Sequence, residues 1–371
     1  MNPQALAAQA APALRNARVA EFAPLPTPRE LLAELPLTAD AAATIARSRD
    51  EVRAVLDGVD DRLLVVVGPC SIHDPEAGLD YARRLALVAR EHREDLLVVM
   101  RTYFEKPRTT VGWKGLINDP HLDGSHDIAT GLRAARRVLL DVLGLGLPTA
   151  TEFLEPISPQ YTADAIAWGA IGARTAESQI HRQLVSGLSM PVGFKNGTDG
   201  GLQVAIDACG AASAAQAFLG IDDDGRAALV ATSGNADTHL VLRGGAAGPN
   251  YDADSVVAAS ATLAAKALNP RLVVDASHAN SGKNHHRQAE VALELGAQIA
   301  AGGPSSGAIA GVMLESFLLG GAQTLDVAAH AAGKDQLVYG QSVTDACMDW
   351  AVTEDVLGHL AGAARSRRIA V

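Results

Sequence analysis

Residues 101–115, RTYFEKPRTTVGWKG, set Arg101, Lys106 and Arg108 against a single acid, Glu105, directly after the apolar run Leu96-Leu97-Val98-Val99-Met100. Arginine offers a fixed fork of donors to phosphate or carboxylate and lysine a movable point charge, so the stretch reads as an anion-holding loop. A solvated basic turn is the plain alternative. Arg174, Lys195 and Arg243 add three more cations, and Cys70, Glu152, His278, Glu315 and Asp345 add a thiol, three carboxylates and an imidazole. Cys70, His278, Glu315 and Asp345 make a mixed S/N/O donor set, which suits one borderline divalent ion (Mn2+, Fe2+, Co2+ or Zn2+) better than the all-oxygen shell of Mg2+ or Ca2+. Their spacing is no metal motif, so only convergence in space would join them.

The elements that position these residues recur with a rhythm. Apolar, β-branched runs at 62–67, 96–100, 148–153, 167–172, 191–195, 238–242, 271–275 and 308–314 alternate with Ala/Leu-rich segments of helical periodicity at 75–92, 126–143, 176–188, 200–213, 253–267 and 283–299. Continuous apolar strands are what a parallel sheet buried on both faces requires. Eight such units predict a (β/α)8 barrel, with a doubly wound open sheet as runner-up. Cys70, Arg101, Glu152, Arg174, Lys195, Arg243, His278 and Glu315 all fall at or just after a strand, the end of a barrel where active sites are built. Taken singly, Cys70 and His278 also read as core residues and Glu152 and Glu315 as helix caps.

Six cations around one mouth repel one another unless the ligand carries matching negative charge. Each phosphate monoester brings about −1.5 to −2, so two phosphates and a carboxylate come near to balance and point to two anionic substrates. The Gly-rich turns at 193–201 and 242–245 could add backbone N–H donors. Around this frame, residues 38–57 read as a helix capped by Thr38, residues 215–236 as a hairpin inserted after the fifth helix, 344–362 as the eighth helix, and RSRR at 365–368 as a solvated tail. Residues 1–36 read as a partly mobile arm at a subunit interface, and 37–371 as a single barrel domain in a homodimer or homotetramer.

The net charge of −11 and pI near 5.4 argue against a nucleic-acid or anionic-membrane binder. Three cysteines with no CxxC pair fit a reducing cytoplasm. The uncharged run 295–314 contains GGPSSG, so no membrane span is expected.

GPCSIHDP at 68–75, MRTYFEKPRTTVGWKGLINDPHLDGS at 100–125, GARTAESQIHRQLVSGLSMPVGFKNGTDGG at 172–201, VLRGG at 241–245, VVDASHANSGKN at 273–284 and YGQSVTDACMDW at 339–350 resemble the type I 3-deoxy-D-arabino-heptulosonate-7-phosphate (DAHP) synthases. The resemblance implies condensation of phosphoenolpyruvate with erythrose 4-phosphate, the first step of the shikimate route. It implies that Cys70, His278, Glu315 and Asp345 hold the metal, and that Arg101, Lys106, Arg174, Lys195 and Arg243 clamp phosphoenolpyruvate while Glu152 orders water. It further implies that Lys106, Pro107, Arg108, Thr109 and Asp345 receive erythrose 4-phosphate; we expect Lys106 to be the proton donor, with Cys70 and His278 beside it. An aromatic amino acid effector pocket is implied at Pro159, Leu184, Ser189, Phe218, Gly220 and Val230. Gly220, with room for a phenolic hydroxyl, favours tyrosine and a likeness to the tyrosine-sensitive isoenzymes. The loop SFLLGGAQ after Glu315 departs from the family pattern. Rival readings are the sister synthase that uses arabinose 5-phosphate, a Schiff-base aldolase built on Lys195, and a non-catalytic barrel that binds amino acids.

Overall fold

Eight parallel strands close into a barrel in the computed structural model, which describes residues 14–108, 112–334 and 336–370. In chain order the strands are β1 (Leu63–Gly68), β2 (Leu96–Arg101), β3 (Thr149–Glu152), β4 (Trp168–Ile171), β5 (Val192–Lys195), the antiparallel pair β6 (Ala217–Ile221) and β7 (Ala227–Ala231), then β8 (Thr238–Leu242), β9 (Leu272–Asp275) and β10 (Ile309–Glu315). β1 pairs with β2 on one side and β10 on the other, Val65 lying opposite both Val98 and Val312. That closure rules out the open doubly wound sheet. The β6–β7 hairpin stands outside the ring, between the fifth helix and the sixth barrel strand, as its turn-rich DDDGR predicts.

The barrel strands are buried along their whole length, and side chains alternate between two cores. Leu64, Val66, Leu97, Val99, Trp168, Val241 and Met313 face inward and share a cluster with Val52, Val55 and Leu56. The last three belong to α2 (Ala39–Leu56), capped by Thr38, which therefore seals the N-terminal end of the barrel. Leu63, Val65 and Val67 face outward against surrounding helices, among them α3 (Pro75–Glu91) and α4 (Ile128–Gly144). The crossover from β3 to β4 carries only the short α5 (Pro159–Thr162) and a 3-10 turn, after which α6 (Gln179–Ser186), α7 (Gln203–Ser213), α8 (Ala253–Ala265) and α9 (His285–Ala300) follow the expected periodicity.

Both chain ends differ from the sequence expectation. The Pro-rich lead-in contains a helix, α1 (Pro28–Glu34), because Pro28 occupies its first position and Thr27 and Glu30 form a reciprocal cap. Arg29 then pairs with Asp224 at the hairpin tip at 2.7 Å, and Tyr161 Oη donates to the Pro26 carbonyl at 2.8 Å. Most of the Ala-rich start, residues 1–13, lies outside the described residues. After two short helices, α10 (Gly303–Ala308) and α11 (Val327–Ala331), the last helix, α12 (Trp350–Ile369), starts late because Asp349 caps it. Residues 344–349 instead fold back on β10 and its loop, with bridges Ser316 to Met348 and Gly321 to Cys347. RSRR is not a solvated tail: it is the last turn of α12, where Arg367 is buried and donates to the carbonyls of Ile309 (3.0 Å) and Asp61 (2.9 Å). Among the described residues no helix is long and apolar enough to cross a membrane.

Candidate active site at the barrel mouth

The C-terminal strand ends surround a cavity of about 270 Å³ lined by Lys106, Pro107, Arg108, Glu152, Arg174, Lys195, Arg243, His278 and Asp345, together with Lys283, Thr198 and Thr344. Nine of the expected site residues thus meet in one place. Thr109 lies outside the described residues. The loop after β2 folds on itself: Lys106 N–H donates to the Lys114 carbonyl and Arg108 Nε to the Trp113 carbonyl, each at 2.8 Å. Gly115 makes this closure possible, since a Cβ there would stand 2.0 Å from the Phe104 oxygen. Glu105 anchors the loop from beneath, accepting from Glu155 N–H (3.2 Å) and Ser158 Oγ (2.9 Å). Burial pushes its carboxyl up to about 7 against those two bonds.

A donor set sits under one side of the cavity. The ligand atoms of Cys70, Glu315 and Asp345 all lie within 4.8 Å of one another. Burial pushes the Cys70 thiol up, and Glu315 next raises it further. Glu315 itself stays below the usual carboxylate range because His278, Arg101 and Lys106 outweigh its burial. A soft sulfur with two ionised carboxylates fits a divalent ion, and binding would hold the thiol as thiolate. His278 lines the same cavity but stands outside that three-residue set. Its backbone is left-handed (φ +50°), and its Nδ1 lies 2.8 Å from Asp275 Oδ2 and 2.7 Å from Ser277 Oγ. Such an imidazole, held through one nitrogen, is oriented to offer the other.

The cations divide by their partners. Arg101 lies wholly buried below the cavity, its Nη2 2.9 Å from Glu315 Oε1. Lys106 Nζ donates to the Cys70 carbonyl and approaches its Sγ, both at 3.1 Å; burial opposes its charge, but Cys70 and Glu315 more than restore it and its pKa is raised. Lys195 Nζ lies 3.2 Å from Asp275 and 3.7 Å from Glu152, and its pKa too is raised: burial opposes its charge, but Asp275, Tyr103 and Glu152 together outweigh it. Arg174 and Arg243 have no carboxylate within ion-pair distance among the described residues. Asn196 fixes the latter's backbone, accepting from Arg243 N–H at 2.8 Å.

Sequence reasoning missed Asp275. It is fully buried and ionised, since His278 and Lys195 outweigh its burial, and it joins the imidazole to the lysine. The signal was its place as the last residue of β9. Gln288 was missed too; its amide brackets the Glu315 backbone, accepting from N–H at 2.8 Å and donating to the carbonyl at 2.9 Å. The Gly-rich turns serve chain packing: a Cβ on Gly245 would stand 2.1 Å from Gly200 N.

Away from the mouth, Phe218 and Val230 are cross-strand partners on the half-buried face of the hairpin, with Gly220 next along. Ser186 Oγ at the end of α6 meets Thr232 Oγ1 at 2.7 Å, fastening the hairpin to the barrel. Leu184 and Pro159 are buried and Ser189 is exposed.

The description DAHP synthetase I family matches residues 36–358. A phospho-2-dehydro-3-deoxyheptonate aldolase of Corynebacterium glutamicum is 58% identical over 96% of this chain and 96% of its own length. The Phe-sensitive enzyme of that name from Escherichia coli is 52% identical (95% and 97% covered), and the Tyr-sensitive one 50% identical (93% and 94% covered), so overall identity does not single out the tyrosine-sensitive kind. The solved structure of the Francisella tularensis phospho-2-dehydro-3-deoxyheptonate aldolase superposes with a TM-score of 0.90 at 46% identity, covering 94% of this chain and 99% of that one. With a closed (β/α)8 barrel, a polar mouth and matches of this extent, the chain belongs to the DAHP synthetase I family.

Proposed function

We infer that this chain is a 3-deoxy-7-phosphoheptulonate synthase, which joins phosphoenolpyruvate, erythrose 4-phosphate and water to give DAHP and phosphate. The observation that carries the reading is the pair Arg174 and Arg243, neither in ion-pair contact with a carboxylate among the described residues, in a mouth that also presents Lys106, Lys195 and Arg108. Arg243 is buried and Arg174 exposed, and cations gathered in one cleft without counter-ions are matched by an anionic ligand.

Arg174, Lys195 and Arg243 hold the phosphate and carboxylate of phosphoenolpyruvate, and Arg108 with Pro107 faces the erythrose phosphate. Cys70, Glu315 and Asp345, with His278 beside them, hold one divalent ion, which supplies Lewis-acid polarisation of the aldehyde oxygen when bound. The methylene carbon of phosphoenolpyruvate attacks the aldehyde carbon, and Lys106, kept protonated by its neighbours, gives its proton to the forming alkoxide. Water ordered by Glu152 adds to the former enol carbon, and phosphate leaves by C–O cleavage. The same raised pKa at Lys195 disfavours a Schiff-base aldolase, whose lysine must be an uncharged amine.

The hairpin face with Phe218, Gly220 and Val230, together with Pro159, Leu184 and Ser189, receives an aromatic amino acid, tyrosine in preference because Gly220 itself carries no side chain, although Val230 Cγ2 lies 2.7 Å from where its Cβ would stand. Exposed Leu219 and Leu229 on the outer face of the hairpin, with exposed Phe22 of the arm, favour a homo-oligomer. Three free, buried cysteines suit the cytoplasm.

Phosphate release from phosphoenolpyruvate with erythrose 4-phosphate, or with arabinose 5-phosphate, tests the reading. We expect turnover with the four-carbon aldose alone, loss with chelator, recovery with Mn2+ or Co2+, and inhibition by tyrosine. Turnover with the pentose alone, or undiminished turnover after chelation, would overturn the assignment in its substrate or its metal. Inhibition by phenylalanine but not tyrosine would overturn the choice of effector.

A further inference from the structure

Arg101 lies at the bottom of the mouth, and its edges are accounted for: Nη2 donates to Glu315 at 2.9 Å, Nη1 approaches Met313 Sδ at 3.0 Å and Nε approaches the Pro69 carbonyl at 3.4 Å. Its face is covered by another group. The Tyr103 ring, two residues along the same chain, lies with its centroid 3.9 Å from Arg101 Cζ. Arg101 is the last residue of β2 and Tyr103 follows two residues later, a spacing at which side chains of an extended chain share a face. Tyr103 is 1% exposed, and its hydroxyl has no hydrogen-bond partner among the described residues. A phenylalanine would fill this space without burying an oxygen. The electrostatic neighbours of that hydroxyl, besides Arg101, are Lys195 and Glu152, which line the mouth, and the buried Asp275. Its backbone is tied in as well: the Tyr103 carbonyl accepts from Ile72 N–H at 2.9 Å, which links the β2 loop to the loop bearing Cys70.

We propose that Tyr103 is a positioning residue for phosphoenolpyruvate: its ring face fixes the Arg101 guanidinium beneath the cavity, at the place from which its charge acts on the anionic substrate above it. A guanidinium held only by its edges can tilt about the Glu315 bond; a ring against its face removes that freedom, and the attraction of the cation for the ring's negative face holds the stack together. The hydroxyl is secondary, acting on the charge balance of Lys195 and Asp275. The inference rests on the functional reading above, and concerns a residue that is itself neither in the cavity lining nor in the donor set.

The test varies the ring's electron density at nearly constant shape. Phenylalanine and its mono-, di- and trifluoro analogues, placed at position 103 by nonsense suppression in the full chain, weaken a cation's attraction to the ring step by step. For these and for Tyr103→Leu, steady-state KM is measured for each substrate and phosphoenolpyruvate affinity is measured by calorimetry. We expect Tyr103→Phe to keep phosphoenolpyruvate KM within about threefold, the fluorinated series to raise it progressively, and Tyr103→Leu to raise it at least about tenfold, with erythrose 4-phosphate KM within about twofold throughout. A flat fluorination series, or equal rises for both substrates, would overturn the proposal; the series decides even if Tyr103→Leu does not fold. A wild-type chain that binds phosphoenolpyruvate without turning over would sink the synthase reading and leave the affinity series to judge Tyr103. Failure to bind phosphoenolpyruvate at all would sink both.

Discussion

The two ends of the barrel use the same residues to opposite ends. At the base, Arg367 gives its donors to the carbonyls of Ile309 and Asp61, and Arg365 and Arg368 each reach Asp95 at 2.6 Å. Burial, and then Arg271, pulls Arg367 down to about 10, which still leaves it charged at neutral pH. At the mouth, Arg243 is 9% exposed, and among the described residues its side chain finds only the carbonyl of Gly244, at 3.3 Å. A buried cation whose donors are used up is a clamp in the fold; one whose donors remain is a clamp for something else. Neither burial nor charge separates the two ends. The partner list does.

Substitutions at the mouth should therefore change turnover and spare the fold, and substitutions at the base the reverse. The largest effect is expected for Lys106→Ala, which removes the proposed proton donor: kcat with both substrates saturating should fall about 10²–10⁴-fold, with a melting temperature near that of the wild type. Near-normal turnover would remove Lys106 from the chemistry. Arg243→Met should raise phosphoenolpyruvate KM about 10–100-fold, the worth of charge-assisted bonds to an anion. Burial already lowers the pKa of Arg243, so its removal should leave the melting temperature unchanged or higher. A marked loss of stability would place Arg243 with the base type. Arg367→Ala should do what Arg243→Met does not: strand two carbonyls, cost about 2–4 kcal/mol in denaturant unfolding, and leave kcat per folded molecule unchanged.

The same contrast explains what was legible in the sequence. The barrel was, because strands buried on both faces must be continuous apolar runs; the run at 62–67 became Leu63–Gly68, and 308–314 became Ile309–Glu315. The hairpin was, through its turn. The mouth was, because cations and ligating groups at strand ends have little packing use. RSRR was misread because its partners, the carbonyls of Ile309 and Asp61, leave no trace in residue type. Asp275 escaped for a related reason: an acid beside Ala-Ser-His looks like a turn former, and its tie to Lys195 spans two strands. Arg101 read as a cation of the mouth, but it lies wholly buried outside the cavity lining, against Glu315 and the Tyr103 ring, contacts that letters alone do not order.

Glu105 lies between the two types, in the loop that carries Lys106 yet bonded to Glu155 N–H and Ser158 rather than to the mouth. Its carboxyl is raised to about 7 by burial, the two hydrogen bonds only partly compensating and Glu155 adding repulsion. The fold therefore favours the protonated acid. That contribution to stability is complete below the ordinary glutamate value of 4.5 and is lost as pH climbs through about 7. Glutamine is the neutral isostere and does not titrate. Wild type and Glu105→Gln should match in unfolding free energy near pH 4.5, and the variant should become more stable by about 1–3 kcal/mol at pH 8. Turnover should stay within about tenfold, because the amide can still accept from Glu155 N–H and donate to Ser158 Oγ. A stability difference that is constant from pH 4.5 to 8 would mean that Glu105 titrates as an ordinary carboxylate. Loss of turnover without that pH dependence would instead move Glu105 to the mouth, as part of the substrate machinery.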